Sequence, residues 1–284
     1  MPAPIFGVVE WDDEATSSRR RCTPPGACSP CAASGPRTPR SRWHIVCETE
    51  RVQSDRRISS VNVGVPRTVG AKSGLSGIDK RPVAGPVRVG VPAAGRSGLD
   101  GDSICDTAGH GGPGQAVYAF SREELDFWQD RLGRALPNGT FGENLTTVGL
   151  DVTSARLGER WQIGGKLVLA VTGPRIPCAT FAVWMKERGW LKAFTGRARP
   201  GAYLRVVTPG DACANDAIEV VHRPGHDVDV GLCFRALTRE HGLLPRLLAA
   251  DEELEPELRE RALAGRGFDL ADELDLEAPA AAPE

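Results

Sequence analysis

The chain has no hydrophobic run approaching the roughly 18 residues a membrane span needs, so no membrane-crossing helix is expected. It also lacks a dominant charge. Lys+Arg number 35 against Asp+Glu 37, a net charge of −2, which excludes gripping nucleic acid by overall basicity. There is no Ser-His-Asp order, no HExxH signature and no GxGxxG fingerprint followed by a helix, which removes three common routes to hydrolysis or dinucleotide binding. A secretory signal is missing as well: Glu10, Asp12, Asp13 and Glu14 stand where a basic end and an apolar core belong. The eight cysteines are therefore expected to be reduced, in a cytoplasmic protein, and are not read as a disulfide framework.

What is present suits one or two globular domains: 284 residues, 40% hydrophobic, with 33 Gly and 22 Pro favouring short strands and turns. Residues 1–57 stand apart. The stretch 15–47 carries six arginines and no acid among Pro, Ser and Ala, and reads as disordered or as an over-extended start. Cys28 and Cys31, with Cys22 and Cys47, could hold zinc, but only one C-x-x-C pair is present; an Arg-rich transit segment is a further alternative.

From Ile58 the texture changes. SVNVGV (60–65), PVRVGV (86–91), KLVLAV (166–171), YLRVV (203–207) and AIEVV (217–221) read as strands, too closely spaced for a parallel α/β sheet. The expectation is a mainly β protein with a few helices, its sheet closed as a barrel or stacked as a sandwich. Ser121 to Glu124 forms a capping box for a helix carrying Leu125, Trp128 and Leu132 on one face and stopping at Pro137-Asn-Gly139. A β domain over 58–224, three short helices over 225–264 and an acidic tail over 265–284 complete the reading.

Several stretches could carry chemistry. Pro174-Arg-Ile-Pro-Cys178 follows a strand directly, and its two prolines stiffen the loop that presents Cys178. With Arg175 nearby, that thiolate could be a nucleophile or a soft-metal ligand; a lone cysteine is otherwise a small buried hydrophobe. His110 sits between glycines, beside Gly111 and Gly112, where the backbone can approach a ligand closely. It could shuttle a proton, with Asp106 orienting it, or simply form a turn before the strand 116–120. Glu143 and Asn144 could orient a polar ligand or cap local backbone amides. Lys80 and Arg81 are candidate anion binders or solvated surface. Cys105, Cys213 and Cys233 show no metal-ligand spacing and read as structural.

Taken in order, SVNVGVPRTV (60–69), SGIDKRPVAGPVRVG (76–90), GLDGD (98–102), HGGPGQAVYAF (110–120), FGENLTTVGLDV (141–152), PRIPC (174–178) and RPGAYLRVV (199–207) resemble the MOSC domain family, in its YiiM-like branch. The family takes its name from the C-terminal domain of molybdenum-cofactor sulfurases. The resemblance covers about three-quarters of the chain and implies a MOSC-type β-barrel followed by a three-helix domain. It further implies a pyranopterin molybdenum cofactor with Cys178 as a molybdenum ligand. The activity implied is reduction of N-hydroxylated compounds, such as hydroxylaminopurines, to amines.

On that reading His110, set by Asp106, donates a proton, and Glu143 and Asn144 position substrate or an oxo ligand. Lys80, Arg81 or Arg175 grip the cofactor phosphate, and Gly111 and Gly112 let it approach. Asn215 stands where the family commonly has glycine, which bears only on a turn. No cysteine follows Cys233, so the iron–sulfur module of some relatives is not expected and electrons are assigned to a separate reductase. Pyridoxal phosphate enters only as a family association: no cysteine desulfurase domain is recognised, which argues against a complete sulfurase. The alternatives are a molybdenum-cofactor or sulfur carrier using Cys178 without turnover, and a non-catalytic interaction protein.

Overall fold

The structure, a computed structural model, describes residues 55–70, 74–107, 109–268 and 270. The expectations for the Cys-x-x-Cys segment and most of the acidic tail lie outside the described residues.

Twelve strands are described: β1 (Arg57–Gly64), β2 (Arg67–Thr68), β3 (Leu75–Ser76), β4 (Lys80–Pro82), β5 (Val87–Val89), β6 (Val117–Ser121), β7 (Leu145–Val148), β8 (Arg160–Ile163), β9 (Leu167–Pro174), β10 (Ala202–Thr208), β11 (Gly210–Ala212) and β12 (Ile218–His222). Eight of them form one sheet in the order β12-β8-β9-β10-β6-β7-β1-β4; β5 pairs with β11, and β2 with β3. Every pair is antiparallel except β6 with β7. A parallel pair needs a crossover. Here it is α1 (Arg122–Leu132) and the loop that brings Phe141 to Asn144 up to the start of β7.

The architecture is mainly sheet with several helices, as the β-branched runs lead one to expect. The ladder of paired strands runs from β12 to β4, and the start of β1 bridges back toward β12. β1 spends most of its length pairing with β7 and β4, so only its first residues meet the turn before β12. That meeting includes the bridge Arg57–Ala217 and backbone bonds Ile58 N to Asp216 O (2.9 Å), Asn215 N to Ile58 O (2.8 Å) and, from the first residue of β12, Ile218 N to Arg56 O (2.9 Å). Asn215 turns there at φ 72°, a left-handed conformation that asparagine tolerates better than most residues.

Strand periodicity divides the interior in two. Successive side chains point to opposite faces, so Val117 and Ala119 of β6, with Ala202 and Leu204 of β10, enter the main core. Tyr118, Phe120 and Tyr203 face the other way, toward an aromatic cluster built from Trp128, Phe141, Phe181, Trp190 and Phe194. That cluster joins α1 to α2 (Ala179–Met185) and α3 (Trp190–Arg197), ring centroids lying 4.7–6.3 Å apart.

Ser121 caps α1 by accepting from Glu124 N (3.3 Å). The reciprocal half of the capping box does not form. Glu124 instead takes Arg197 Nε (2.9 Å) and Arg199 Nε (2.7 Å), because a bidentate guanidinium outcompetes a backbone amide. The helix stops at Gly133 (φ 63°), ahead of the expected Pro137.

After β12 come α4 (Val230–Thr238), α5 (Leu244–Leu247) and α6 (Pro256–Ala264), with Asp229 capping α4 through Leu232 N (2.6 Å). Their Leu237, Leu244, Leu247 and Leu254 pack into the same core as Leu145 and Trp161 of the sheet. Leu263, near the end of α6, is by contrast 69% exposed. No helix among the described residues is long and apolar enough to cross a membrane.

Candidate active site

On the aromatic side of the sheet a cavity opens, with about 690 Å³ of space including its mouth. Four separate stretches build it. The first is the rigid connection from β9 to α2, where Cys178 sits in extended conformation (φ −127°) just ahead of the helix. The chain reverses here because Phe181 N donates back to Cys178 O (2.9 Å). Arg175, in the same connection, is 5% exposed, donates to Phe141 O, and lies over the rings of Phe181 (4.2 Å) and Tyr118 (5.1 Å). Its guanidinium is thereby held at the cavity wall.

The second stretch carries His110. Gly111 and Gly112 adopt φ 80° and 91°. A Cβ on Gly111 would lie 2.8 Å from Ile104 Cδ1 and 2.9 Å from Arg96 O, so both conformation and space demand glycine. Gly112 N donates to Arg96 O (2.9 Å), pinning the loop. His110 Nδ1 lies 3.6 Å from Asp106 Oδ2, too far for a hydrogen bond, and has no partner among the described residues.

Burial alone would raise the Cys178 thiol. Hydrogen bonding with His110 and the charges of Arg175 and His110 outweigh it and hold Cys178 below the usual thiol range. The same hydrogen bonding raises His110, against desolvation. The pair therefore favours a thiolate facing an imidazolium.

The third and fourth stretches meet at Asp102. Its carboxylate accepts from Lys80 Nζ, from Gly64 N (2.8 Å) and from Asn144 Nδ2 (2.9 Å). Asn144 Oδ1 accepts from Tyr118 N (3.1 Å), so one amide joins the β1–β4 corner to β6. Desolvation lowers Lys80, and Asp102 opposes that shift.

Cys178, His110, Asp106, Lys80, Arg175, Gly111 and Asn144 all line this cavity. Three sequence candidates do not. Glu143 is wholly buried and turned onto its own loop, accepting from Gly139 N (2.5 Å), Phe141 N (3.0 Å) and Thr146 Oγ1 (2.9 Å). That is the amide-capping alternative, because a buried carboxylate needs donors close at hand. Arg81, its side chain 66% exposed, pairs with Asp79 (3.0 Å) in solvent, and Gly112 shapes the loop from behind. Cys105, read as structural, lines the cavity instead, whereas Cys233 is buried in the core. Asp102, Tyr118 and Tyr203 were not among the sequence candidates; the signal available was the GLDGD turn and the alternation within two strands.

No group of three or more His, Cys, Asp and Glu among the described residues could hold a metal ion. The residues present suit a metal that arrives with most of its ligands. One activated thiolate is available for it, and two held cations suit an anionic group such as a phosphate.

A model of the MOSC domain family matches residues 106–219. The uncharacterized protein YflK of Bacillus subtilis (strain 168) is 30% identical over 180 residues, covering 63% of this chain and 79% of that protein. The chain belongs to the MOSC domain family.

Other relatives bear on its place there. Protein YiiM of Escherichia coli (strain K12) is 29% identical over 131 residues, 44% of this chain and 57% of YiiM. A reductase of Gibberella moniliformis is 29% identical over 132 residues, 45% of this chain but only 23% of the reductase. The crystal structure of YiiM from Geobacillus stearothermophilus superposes with a TM-score of 0.61 at 28% identity, covering 74% of this chain and 98% of that one. This MOSC protein is thus YiiM-like. The family match begins after Lys80 and Asp102, so part of the cavity lies outside the matched segment.

Proposed function

We propose that this MOSC protein binds a pyranopterin molybdenum cofactor at Cys178 and reduces small N-hydroxylated compounds of the hydroxylaminopurine kind to amines. The observation that carries the reading is that Cys178 shares one cavity with His110, Lys80 and Arg175. A relative named a reductase, matched over 23% of its length, supports the reading. When bound, the cofactor supplies the two-electron redox centre.

The chain supplies the rest. Cys178 would be the protein's thiolate ligand and Arg175 would face the cofactor phosphate, with Lys80, already paired with Asp102, beside it. His110, raised above the usual imidazole range by Cys178 and Asp106, is the group placed to carry a proton at the cavity wall. Asn144, committed to Asp102 and Tyr118, shapes the wall on which the ligand rests. A separate reductase delivers electrons, and a cytoplasmic setting keeps Cys178 reduced.

The test is molybdenum content together with reduction of 6-hydroxylaminopurine by an artificial electron donor, for the wild type and Cys178→Ala made in cofactor-competent cells. Near one molybdenum per chain with turnover, both lost in Cys178→Ala, is the expected result. Protein free of molybdenum from such cells would overturn it, and a cyanide-labile sulfur on Cys178 would then favour a sulfur carrier.

A further inference from the structure

We infer that Tyr203 is a specificity-determining residue whose hydroxyl donates a hydrogen bond to the oxygen of the ligand's N–OH group, the atom that separates an N-hydroxylated compound from its amine. The inference deepens the reductase reading and rests on it.

Tyr203 and Tyr118 are cross-strand partners on β10 and β6, with ring centroids 5.4 Å apart, and both line the cavity. Their hydroxyls are used differently. Tyr118 Oη donates to Pro200 O (2.7 Å). That of Tyr203 makes no hydrogen bond to a described residue, and Tyr203 as a whole is half-buried in the cavity wall.

The backbone aims this side chain. On its other edge β10 pairs with β9, and the register shifts between Tyr203, opposite Gly173, and Leu204, opposite Val171. The extra residue, Thr172, is anchored by its hydroxyl to Gly114 O (2.6 Å). A bulge of this kind re-aims the neighbouring side chain and is frequent beside active sites. At the entry to the strand, a Cβ on Gly201 would lie 2.8 Å from Tyr118 Cε2, so glycine there leaves room for the Tyr118 ring.

The charged groups facing the phenol are Arg175 and Cys178. Arg175 offers no acceptor and Cys178 acts on the phenol through its charge alone, which leaves the hydroxyl's hydrogen for a ligand or water. An ordinary phenol is protonated throughout neutral pH, so the hydroxyl is a donor there. A site that donates to a substrate oxygen rejects the analogue lacking it, because the donor is then left unpaired. The amine product is such an analogue.

Tyr203→Phe keeps the ring and its packing and removes only the hydroxyl. Equilibrium dialysis of 6-hydroxylaminopurine and of adenine against the oxidised, molybdenum-loaded protein, which does not turn over, reads the preference directly. Wild type should favour 6-hydroxylaminopurine, and Tyr203→Phe should lose about tenfold of that preference, with adenine binding and molybdenum per chain unchanged. An unchanged preference would overturn the assignment. Loss of molybdenum in Tyr203→Phe would also overturn it, by giving the hydroxyl to the cofactor. Activity of the loaded wild type with reduced methyl viologen separates the two ideas. An inactive wild type whose preference still depends on Tyr203 ends the reductase reading and leaves Tyr203 as a ligand-recognition residue. A wild type with neither activity nor preference ends both.

Discussion

Lys80 and Asp102 form an ion pair that is almost entirely inside the protein, their side chains 8% and 0% exposed. Such a pair stabilises little by itself, since both charges have left water, yet removing one partner strands the other. Asp102→Asn should therefore lower unfolding stability by about 3 kcal/mol, measured by urea titration. Adding Lys80→Met to Asp102→Asn should restore part of the loss, because the two sites are coupled. A strictly additive double variant would contradict the arrangement.

Cys178 and Cys105 share one cavity in opposite electrostatic states. His110 and Arg175 hold the first thiol low, whereas burial raises the second. In the cofactor-free protein, iodoacetamide should modify Cys178 at lower pH than Cys105, with Cys178→Ala identifying the signal. His110→Gln removes the main contribution favouring the thiolate, so the rise in Cys178 reactivity should move to higher pH. A profile that does not move with His110→Gln would show that His110 does not set the thiolate.

Glu143 acts on its own loop rather than on a ligand. Glu143→Ala leaves the buried amides of Gly139 and Phe141 without an acceptor and should cost about 2–4 kcal/mol. Molybdenum bound per folded chain should be unchanged. Selective loss of molybdenum from a variant that folds normally would return Glu143 to the cofactor.

The glycines around His110 should respond unequally. Gly109 has open space where a Cβ would stand, whereas Gly111 combines φ 80° with neighbours inside 3 Å. Gly109→Ala should be tolerated, and Gly111→Ala should destabilise by about 1–3 kcal/mol and displace His110. Arg81→Ala, at an exposed ion pair, should change stability by less than about 1 kcal/mol. Thermal unfolding of the three variants, side by side, checks the ranking.

Much of this protein is legible in its sequence because local rules are strong where they apply. The β-branched runs became strands, Ser121 capped its helix, and the stiffened loop does present Cys178 to a cavity. Legibility failed where distant segments decide. A turn ending in Asp102 carries no local mark that Lys80 and Asn144 will converge on it from 22 and 42 residues away. Alternation within YLRVV separates Tyr203 from Leu204 but does not tell which face holds the cavity. Glu143 and Asn144 looked alike as neighbouring polar residues, yet the loop's backbone claims one and the cavity wall the other.

The order of Lys80, Asp102 and Asn144 along the chain has a consequence for the nascent polypeptide. Lys80 and Asp102 leave the ribosome while Asn144, Cys178 and Tyr203 are still untranslated, so the ion pair must wait in water, screened and solvated. Asn144, which donates to Asp102, is made later than either charge. An amino-terminal fragment ending before residue 144 would therefore carry the charge pair without the amide that helps satisfy it.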